Sequence, residues 1–178
     1  EPRTTLAFKI RRGDGQAPDD GLQAEMMFAA RDLLARRGYT HYEVSSWARP
    51  GHVAVHNSAY WDLTPYLALG AGAHGFMGGV RYRNEPRPSR YVERALSGEV
   101  PETSSERPDE ATLMFERLLT GLRRLDLGLR LNSAMRARWG GVLADEVARG
   151  RLRDDGAVVR LTDEGLRFMD EVLLSFAP

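Results

Sequence analysis

The sequence predicts an α/β arrangement that becomes mostly α-helical toward its C-terminus. Three observations carry that reading. A strand-like run, a helical stripe and a second β-rich run follow one another between Leu6 and Val44. From Asp109 onward, apolar residues recur at helical spacing. An Asp155-Gly156 pair between two short apolar runs then carries the signal of a β-hairpin.

The elements follow in order. Leu6–Ile10 is a strand candidate, closed by the Gly- and Asp-rich loop 11–20. Asp19 or Asp20 can cap a helix whose Leu22, Met26, Ala30, Leu33 and Leu34 share one face, with Gly38 fitting its C-terminal stop. Tyr39–Val44 is rich in β-branched and aromatic residues and reads as a strand. Strand, helix and strand in about forty residues make a βαβ unit, which implies a parallel sheet with Glu43, Ser45 and Ser46 at a strand's C-terminal end. Arg81–Pro88 is a charged connector, Ser89–Leu96 a short helix and Ser97–Pro108 a polar linker. These place one module at 1–96, a linker at 97–108 and a second module at 109–178.

In the second module Met114, Phe115, Leu118, Leu122 and Leu125 form a helical stripe after Pro108. Leu131–Trp139 and Gly141–Arg149 read as two short helices parted by a glycine pair. The hairpin 151–161 follows. Thr162 caps a last helix with Leu166, Met169, Leu173 and Phe176 inward. Three helices, a hairpin and a helix resemble a winged-helix variant. A DNA-binding winged helix needs exposed arginines, and Arg136, Arg138, Arg149, Arg151 and Arg153 are candidates. Asp145, Glu146, Asp154 and Asp155 interrupt that patch, which favours a packing module over a nucleic-acid binder.

Composition narrows the function classes. With 25 basic and 25 acidic side chains the formal charge is zero, which argues against a general polyanion binder. The chain has no cysteine, so it supplies no disulfide, thiolate nucleophile or cysteine-ligated cluster. No stretch approaches the ~20 apolar residues of a membrane span, and no signal-peptide pattern opens the chain. The expectation is a soluble, cytoplasmic protein. The abrupt entry into a strand-like run without a starting methionine suggests a piece of a longer one.

The stretch 42–76 is chemically dense. It holds His52, His56 and His74, Trp47 and Trp61, and the small-residue run Gly70-Ala71-Gly72-Ala73-His74-Gly75. His56 precedes Asn57 and stands four before Tyr60, so a helix would put His56 and Tyr60 on one face. Two readings of this HNxxYW string stand. His56 can be a hydrogen-bonded structural residue, Asn57 a turn cap and Trp61 core filling. Alternatively, a neutral imidazole is the usual axial ligand of heme iron, with Trp61, Tyr60 and Trp47 as an aromatic wall for a flat macrocycle. The glycine run likewise either presents backbone N–H groups to a cofactor or lets elements pack closely. No GxGxxG follows a strand, and no GxxxxGK[ST], HExxH or GxSxG motif occurs.

The string YEVSSWARPGHVAVHNSAYW resembles the YEISNFAxPGxxxxHNxxYW stretch of the HemW family of radical S-adenosylmethionine proteins. These are heme chaperones long catalogued as oxygen-independent coproporphyrinogen III oxidase-like. YLALGAGAHGF is similar to the family's YLGLGxGAHS, and LTDEGLRFMDEVLLSF to its closing LTxxGxxxxDxVxxxF. The resemblance spans essentially the whole chain and corresponds to the back part of a family member. It implies the final strand-helix units of an incomplete (β/α) radical S-adenosylmethionine barrel, followed by a helical winged-helix-like domain. Leu6–Ile10 then corresponds to the sixth barrel strand, with Lys9 where members often have a small residue.

On the same resemblance, His56, Asn57, Tyr60 and Trp61 belong to the heme-associated motif, with His56 as ligand to the heme iron. Gly70, Gly72, Ala73 and His74 belong to the loop that closes over S-adenosylmethionine. Ser46-Trp47 stand where members have Asn-Phe. The family's CxxxCxxC motif is absent, so the [4Fe-4S] cluster belongs to the intact parent only, and this chain alone should not do radical chemistry. Implied partners are heme or porphyrin, the N-terminal part of the barrel and heme-accepting respiratory proteins. Two rivals remain: part of a coproporphyrinogen III oxidase of heme biosynthesis, and a winged-helix nucleic-acid module.

Overall fold

The computed structural model describes residues 3–177, in eight helices and eight short strands. They divide into two compact units, one ending at Thr40 and one beginning at His41. In the first unit, α1 (Thr5–Arg11) is capped by Thr4, whose hydroxyl accepts from the N–H of Ala7. Helix α2 (Asp20–Arg36) is capped by Asp19, which accepts from Leu22. Gly38, at φ 80°, supplies the left-handed residue that ends it. Neither helix buries a residue, and Leu6, Phe8, Leu22, Met26 and Leu33 are exposed.

Leu6–Ile10 is therefore a helix and not the expected strand. Five apolar-rich residues are too few for periodicity to separate the two. In a unit whose other main element is α2, a helix satisfies its own N–H and C=O groups where a strand would need a partner. The parallel βαβ unit falls with it. Strand β1 (Thr40–Glu43) pairs with β2 (Ser46–Ala48), across a connection far too short for a parallel crossover. No closed barrel forms among the described residues; the sheets have two, three and three strands.

In the second unit, α3 (Val55–Trp61) carries the HNxxYW string. Strands β3 (His74–Met77), β4 (Val80–Asn84) and β5 (Glu102–Glu106) form an antiparallel sheet in the order β3-β4-β5. Helix α4 (Pro88–Leu96) connects β4 to β5. The segments read as a charged connector and a polar linker thus contain strands. β5 carries only charged or small polar side chains, and in β4 the alternation of Val80 and Tyr82 with Arg81 and Arg83 is too short to stand out on a half-exposed sheet, where burial imposes no long apolar pattern.

The apolar core lies in 109–177. Helix α5 (Glu110–Gly121), capped by Asp109, precedes β6 (Leu129–Arg130) and α6 (Ser133–Ala148), capped by Asn132. Strands β7 (Leu152–Asp154) and β8 (Val158–Leu161) form the hairpin, and β8 also pairs with β6. Helices α7 (Asp163–Arg167), capped by Thr162, and α8 (Met169–Ser175) close the chain. Leu118, Leu122, Leu129, Met135, Trp139, Leu143, Leu152, Val159, Val172 and Phe176 form one cluster. The Trp139 indole N–H donates to the carbonyl of Phe176 at 3.1 Å.

Two expectations are corrected here. Helix α6 runs unbroken through Gly140 and Gly141, because Met135, Trp139 and Leu143 at four-residue spacing all bury on one face. That packing outweighs a glycine cost of about 1 kcal/mol each. The final helix, conversely, is broken at Phe168, so Val172 joins Leu166 and Phe176 as an inward residue while Met169 and Leu173 are only half-buried. Several arginines of the proposed basic face are neutralised: Arg136 pairs with Asp154, Arg149 with Glu146 and Arg151 with Glu171.

Candidate functional site

Helix α3 is seven residues long, and its N-cap Ala54 offers no side-chain cap. Four-residue spacing brings His56 and Tyr60 together. The His56 Nε2 and Tyr60 Oη lie 3.0 Å apart, with the donor set by the imidazole tautomer. Tyr66 completes the group. Its ring meets Tyr60 edge-on at 4.5 Å between centroids and His56 at 6.2 Å. Burial, then the neighbouring Tyr60, pushes the Tyr66 hydroxyl above its ordinary range. The imidazole itself is exposed, and so are Val55 and Leu67, at 84% and 59%.

Tyr66 also joins this cluster to the glycine run. Its N–H donates to the carbonyl of Phe76 at 2.8 Å, and the Phe76 N–H returns to Tyr66 at 2.9 Å. Phe76 follows Gly75 on β3. Gly75 is needed there because an added Cβ would lie 2.3 Å from the Tyr82 ring. The preceding turn is held from β4 and α4. The Asn84 amide donates to the carbonyls of Ala68 and Gly70 at 3.0 and 3.1 Å. The N–H of Ala68 donates to the Tyr82 hydroxyl, and that of Gly70 to the Tyr91 hydroxyl.

Gly70 and Gly72 adopt φ of 104° and 70°, where a side chain is disfavoured. The N–H of Gly72 donates to Glu85 and that of Ala73 to Gly70. So the N–H groups of Gly70, Gly72 and Ala73 are already used within the protein. What this turn offers a ligand is a close, side-chain-poor surface rather than those three donors.

The expected site residues therefore separate into groups. His56 and Tyr60 touch. Asn57 is half-buried on the same helix. Trp61 lies under the guanidinium of Arg123 at 4.6 Å, with its indole N–H buried and without a hydrogen-bond partner. Trp47 stacks on His41 at 4.3 Å. Gly70, Gly72 and Ala73 form the braced turn, and His74 is exposed at the start of β3, opposite Arg83.

Sequence reading missed Tyr66, Asn84 and Arg123. Tyr66 has no periodic relation to His56, and only its pairing with Phe76 brings it there. Asn84 stood in a segment that looked like a connector. Arg123 is eighty residues from its partner Glu43. Glu43 is 0% exposed, and its carboxylate accepts from Arg123 Nε and Nη2 at 3.1 and 2.8 Å and from the N–H and hydroxyl of Ser45 at 3.1 and 2.9 Å. Burial alone would raise the Glu43 pKa, but the hydrogen bonds from Arg123, Ser45 and Ser46 outweigh it and hold the carboxyl below its ordinary range.

The donor set around α3 is small. One exposed imidazole sits beside two tyrosine rings, and the described residues contain no cluster of three metal-ligating side chains.

Comparison with known proteins defines the class first. No family model matches the chain. Its fold is similar, at a TM-score of 0.62 and 14% identity, to coproporphyrinogen III oxidase HemN of Escherichia coli, a radical SAM enzyme, over 89% of this chain and 42% of that one. The two chains therefore share a fold over less than half of that protein.

Sequence narrows the class further. The chain is 37% identical over 176 residues to the heme chaperone HemW of Mycobacterium tuberculosis, covering 97% of itself and 44% of that protein. It is 29% identical over 182 residues to the heme chaperone HemW of Lactococcus lactis. Over 75 residues it is 44% identical to bovine radical S-adenosyl methionine domain-containing protein 1, mitochondrial. The chain is a HemW-like sequence and spans about half the length of the two HemW proteins, which it matches along nearly its whole length.

Proposed function

We propose that this chain is the heme-binding C-terminal portion of a HemW-like radical S-adenosylmethionine heme chaperone. The observation that carries the reading is the exposed His56 imidazole, set edge-on to Tyr60 and Tyr66. In this reading the imidazole is the protein ligand to the iron, and the two tyrosine rings, with exposed Val55 and Leu67, form the apolar side of the site. Trp61 anchors the end of the helix under Arg123, and Asn57 belongs to the same motif. Bound heme would supply an iron for the imidazole to hold, and the protein's task would be to keep it for transfer to heme-accepting respiratory proteins.

The braced turn with Gly70, Gly72, Ala73 and His74 would complete the S-adenosylmethionine cleft with the N-terminal part of the barrel. The chain has no cysteine, so the [4Fe-4S] cluster would sit in that part. Residues 1–96 would belong to the barrel side and 109–178 to the closing module, with 97–108 between them, in a cytoplasmic protein. No helix among the described residues is long and apolar enough to cross a membrane.

Titration with hemin, followed in the Soret band, tests the reading. His56→Ala should lose the imidazole-ligated spectrum, and an unchanged band shift would remove His56 as the ligand. The fold shared with HemN favours a second reading, in which the parent oxidatively decarboxylates a porphyrinogen. Porphyrinogen formation by the intact, cluster-loaded protein would establish that alternative.

A further inference from the structure

We infer that Arg124, with Arg123 beside it, is a positioning residue for the His56 imidazole: the segment leaving α5 clamps the C-terminal end of α3 and so sets the direction in which that helix presents its histidine. The inference rests on the reading of His56 as a heme ligand but concerns the residues behind it.

The clamp begins in the main chain. The N–H of Val44 donates to the carbonyl of Arg123 at 3.3 Å, and that of Leu125 to Tyr42 at 3.0 Å. Glu43 and Arg124 form an antiparallel bridge. Both arginines are therefore rooted along β1, and their side chains reach in different directions. Arg123 grips buried Glu43 and covers the Trp61 ring. The Arg124 side chain, only 7% exposed, donates through Nη1 to both carboxylate oxygens of Asp62 at 2.8 and 2.9 Å. Its Nε and Nη2 donate to Asp126 at 3.1 and 3.2 Å, so its fork is used on both sides.

Asp62 is the C-cap of α3. Leu63 follows at φ 51°, a left-handed conformation that a branched side chain disfavours. The N–H of Thr64 closes the helix end onto Ala59 at 2.9 Å. The two arginines thus hold consecutive residues, Trp61 and Asp62, directly before a strained one. Helix α3 buries none of its residues and is too short to be stable alone. Its orientation therefore depends on its partners, and the grip on Trp61 and Asp62 supplies the charged contacts among them. His56 and Tyr60 stand within the turns immediately before the grip, so a tilt there displaces the imidazole relative to Tyr66.

The test uses the intact, cluster-containing protein with Arg124→Gln, Arg124→Lys, Asp62→Asn and His56→Ala variants. The hemin-free protein, labelled with ¹⁵N in its histidine rings, gives the His56 imidazole resonances. Hemin titration gives affinity, and thermal unfolding checks the fold. Arg124→Gln and Asp62→Asn should both shift the His56 resonances and weaken hemin binding roughly 10-fold, the low end of the cost of losing an orienting partner of a metal ligand. Arg124→Lys, which keeps the charge but not the fork, should recover part of each effect.

If Arg124→Gln fails to fold, Asp62→Asn decides, because that side chain is 43% exposed and outside the core. Folded Asp62→Asn and Arg124→Gln proteins with unmoved His56 resonances would overturn the clamp. Wild-type hemin binding by His56→Ala would instead overturn the heme reading, leaving the clamp to be judged by the resonances alone.

Discussion

Residues 41–107 and 109–177 belong to one compact unit but are held together differently. The later region is built on ten buried apolar residues in a single cluster. Tyr42 and Ala48 are the buried apolar residues of the earlier region, and its buried polar residues are Glu43 and Asn84. Three ion pairs link the regions: Glu43 with Arg123, Asp62 with Arg124, and Arg81 with Glu116. The contrast suits the roles proposed above. A densely packed region can act as a rigid support, whereas the candidate site must leave an imidazole and a thin backbone turn accessible and so depends on directed hydrogen bonds.

Core truncation should have the largest effect and should act through the later region. Trp139→Ala removes a 4%-exposed ring and its hydrogen bond to Phe176, and is expected to lower unfolding free energy by about 3–5 kcal/mol. Denaturant titration by circular dichroism would read this. An effect below about 1 kcal/mol would mean that the cluster is not the support described.

The earlier region should answer instead to loss of a charge. Glu43→Gln is expected to cost about 2–3 kcal/mol near neutral pH, since it weakens a charge-assisted pair in a buried place. Its pH dependence is diagnostic. The folded carboxyl is held below its ordinary 4.5, so the unfolded chain binds that proton more readily. The stability Glu43 contributes is complete above that value and is lost as pH falls through the depressed folded pKa. Melting temperatures across the acid range should therefore converge for wild type and Glu43→Gln as the pH drops.

Two glycines sharpen the comparison with smaller effects of opposite sign. Gly75→Ala drives a methyl group into the Tyr82 ring and should cost about 1–3 kcal/mol, with faster amide exchange in the 68–73 turn. Gly140→Ala meets open space on the exposed face of α6 and should stabilise by about 0.5–1 kcal/mol in calorimetry. If both changes had the same sign, the distinction between a close approach and a tolerated helix glycine would fail.

Legibility in the sequence followed the same division. In the later region the stripe with Leu118 and Leu122, the cap Thr162 and the Asp155-Gly156 turn were all readable, because a buried face imposes periodicity and a cap requires particular side chains nearby. In the earlier region, β4 and β5 looked like linkers, and Leu6–Ile10 in the first unit was read as a strand. These segments carry no fully buried apolar face to print a period on the sequence.

By itself, then, the sequence determined the local chemistry: the four-residue spacing that joins His56 to Tyr60, the glycines that permit the 70–75 turn, the helix caps and the likeness to HemW. Tertiary structure alone decided that Tyr66 would link the imidazole to that turn, that Asn84 would brace it and that Arg123 and Arg124 would grip the end of α3. Spacing, caps and turns arise from contacts a few residues apart, so the sequence order records them directly. The bracing contacts join residues 10 to 80 positions apart, and such pairs exist only once the packed core has brought the chain back upon itself.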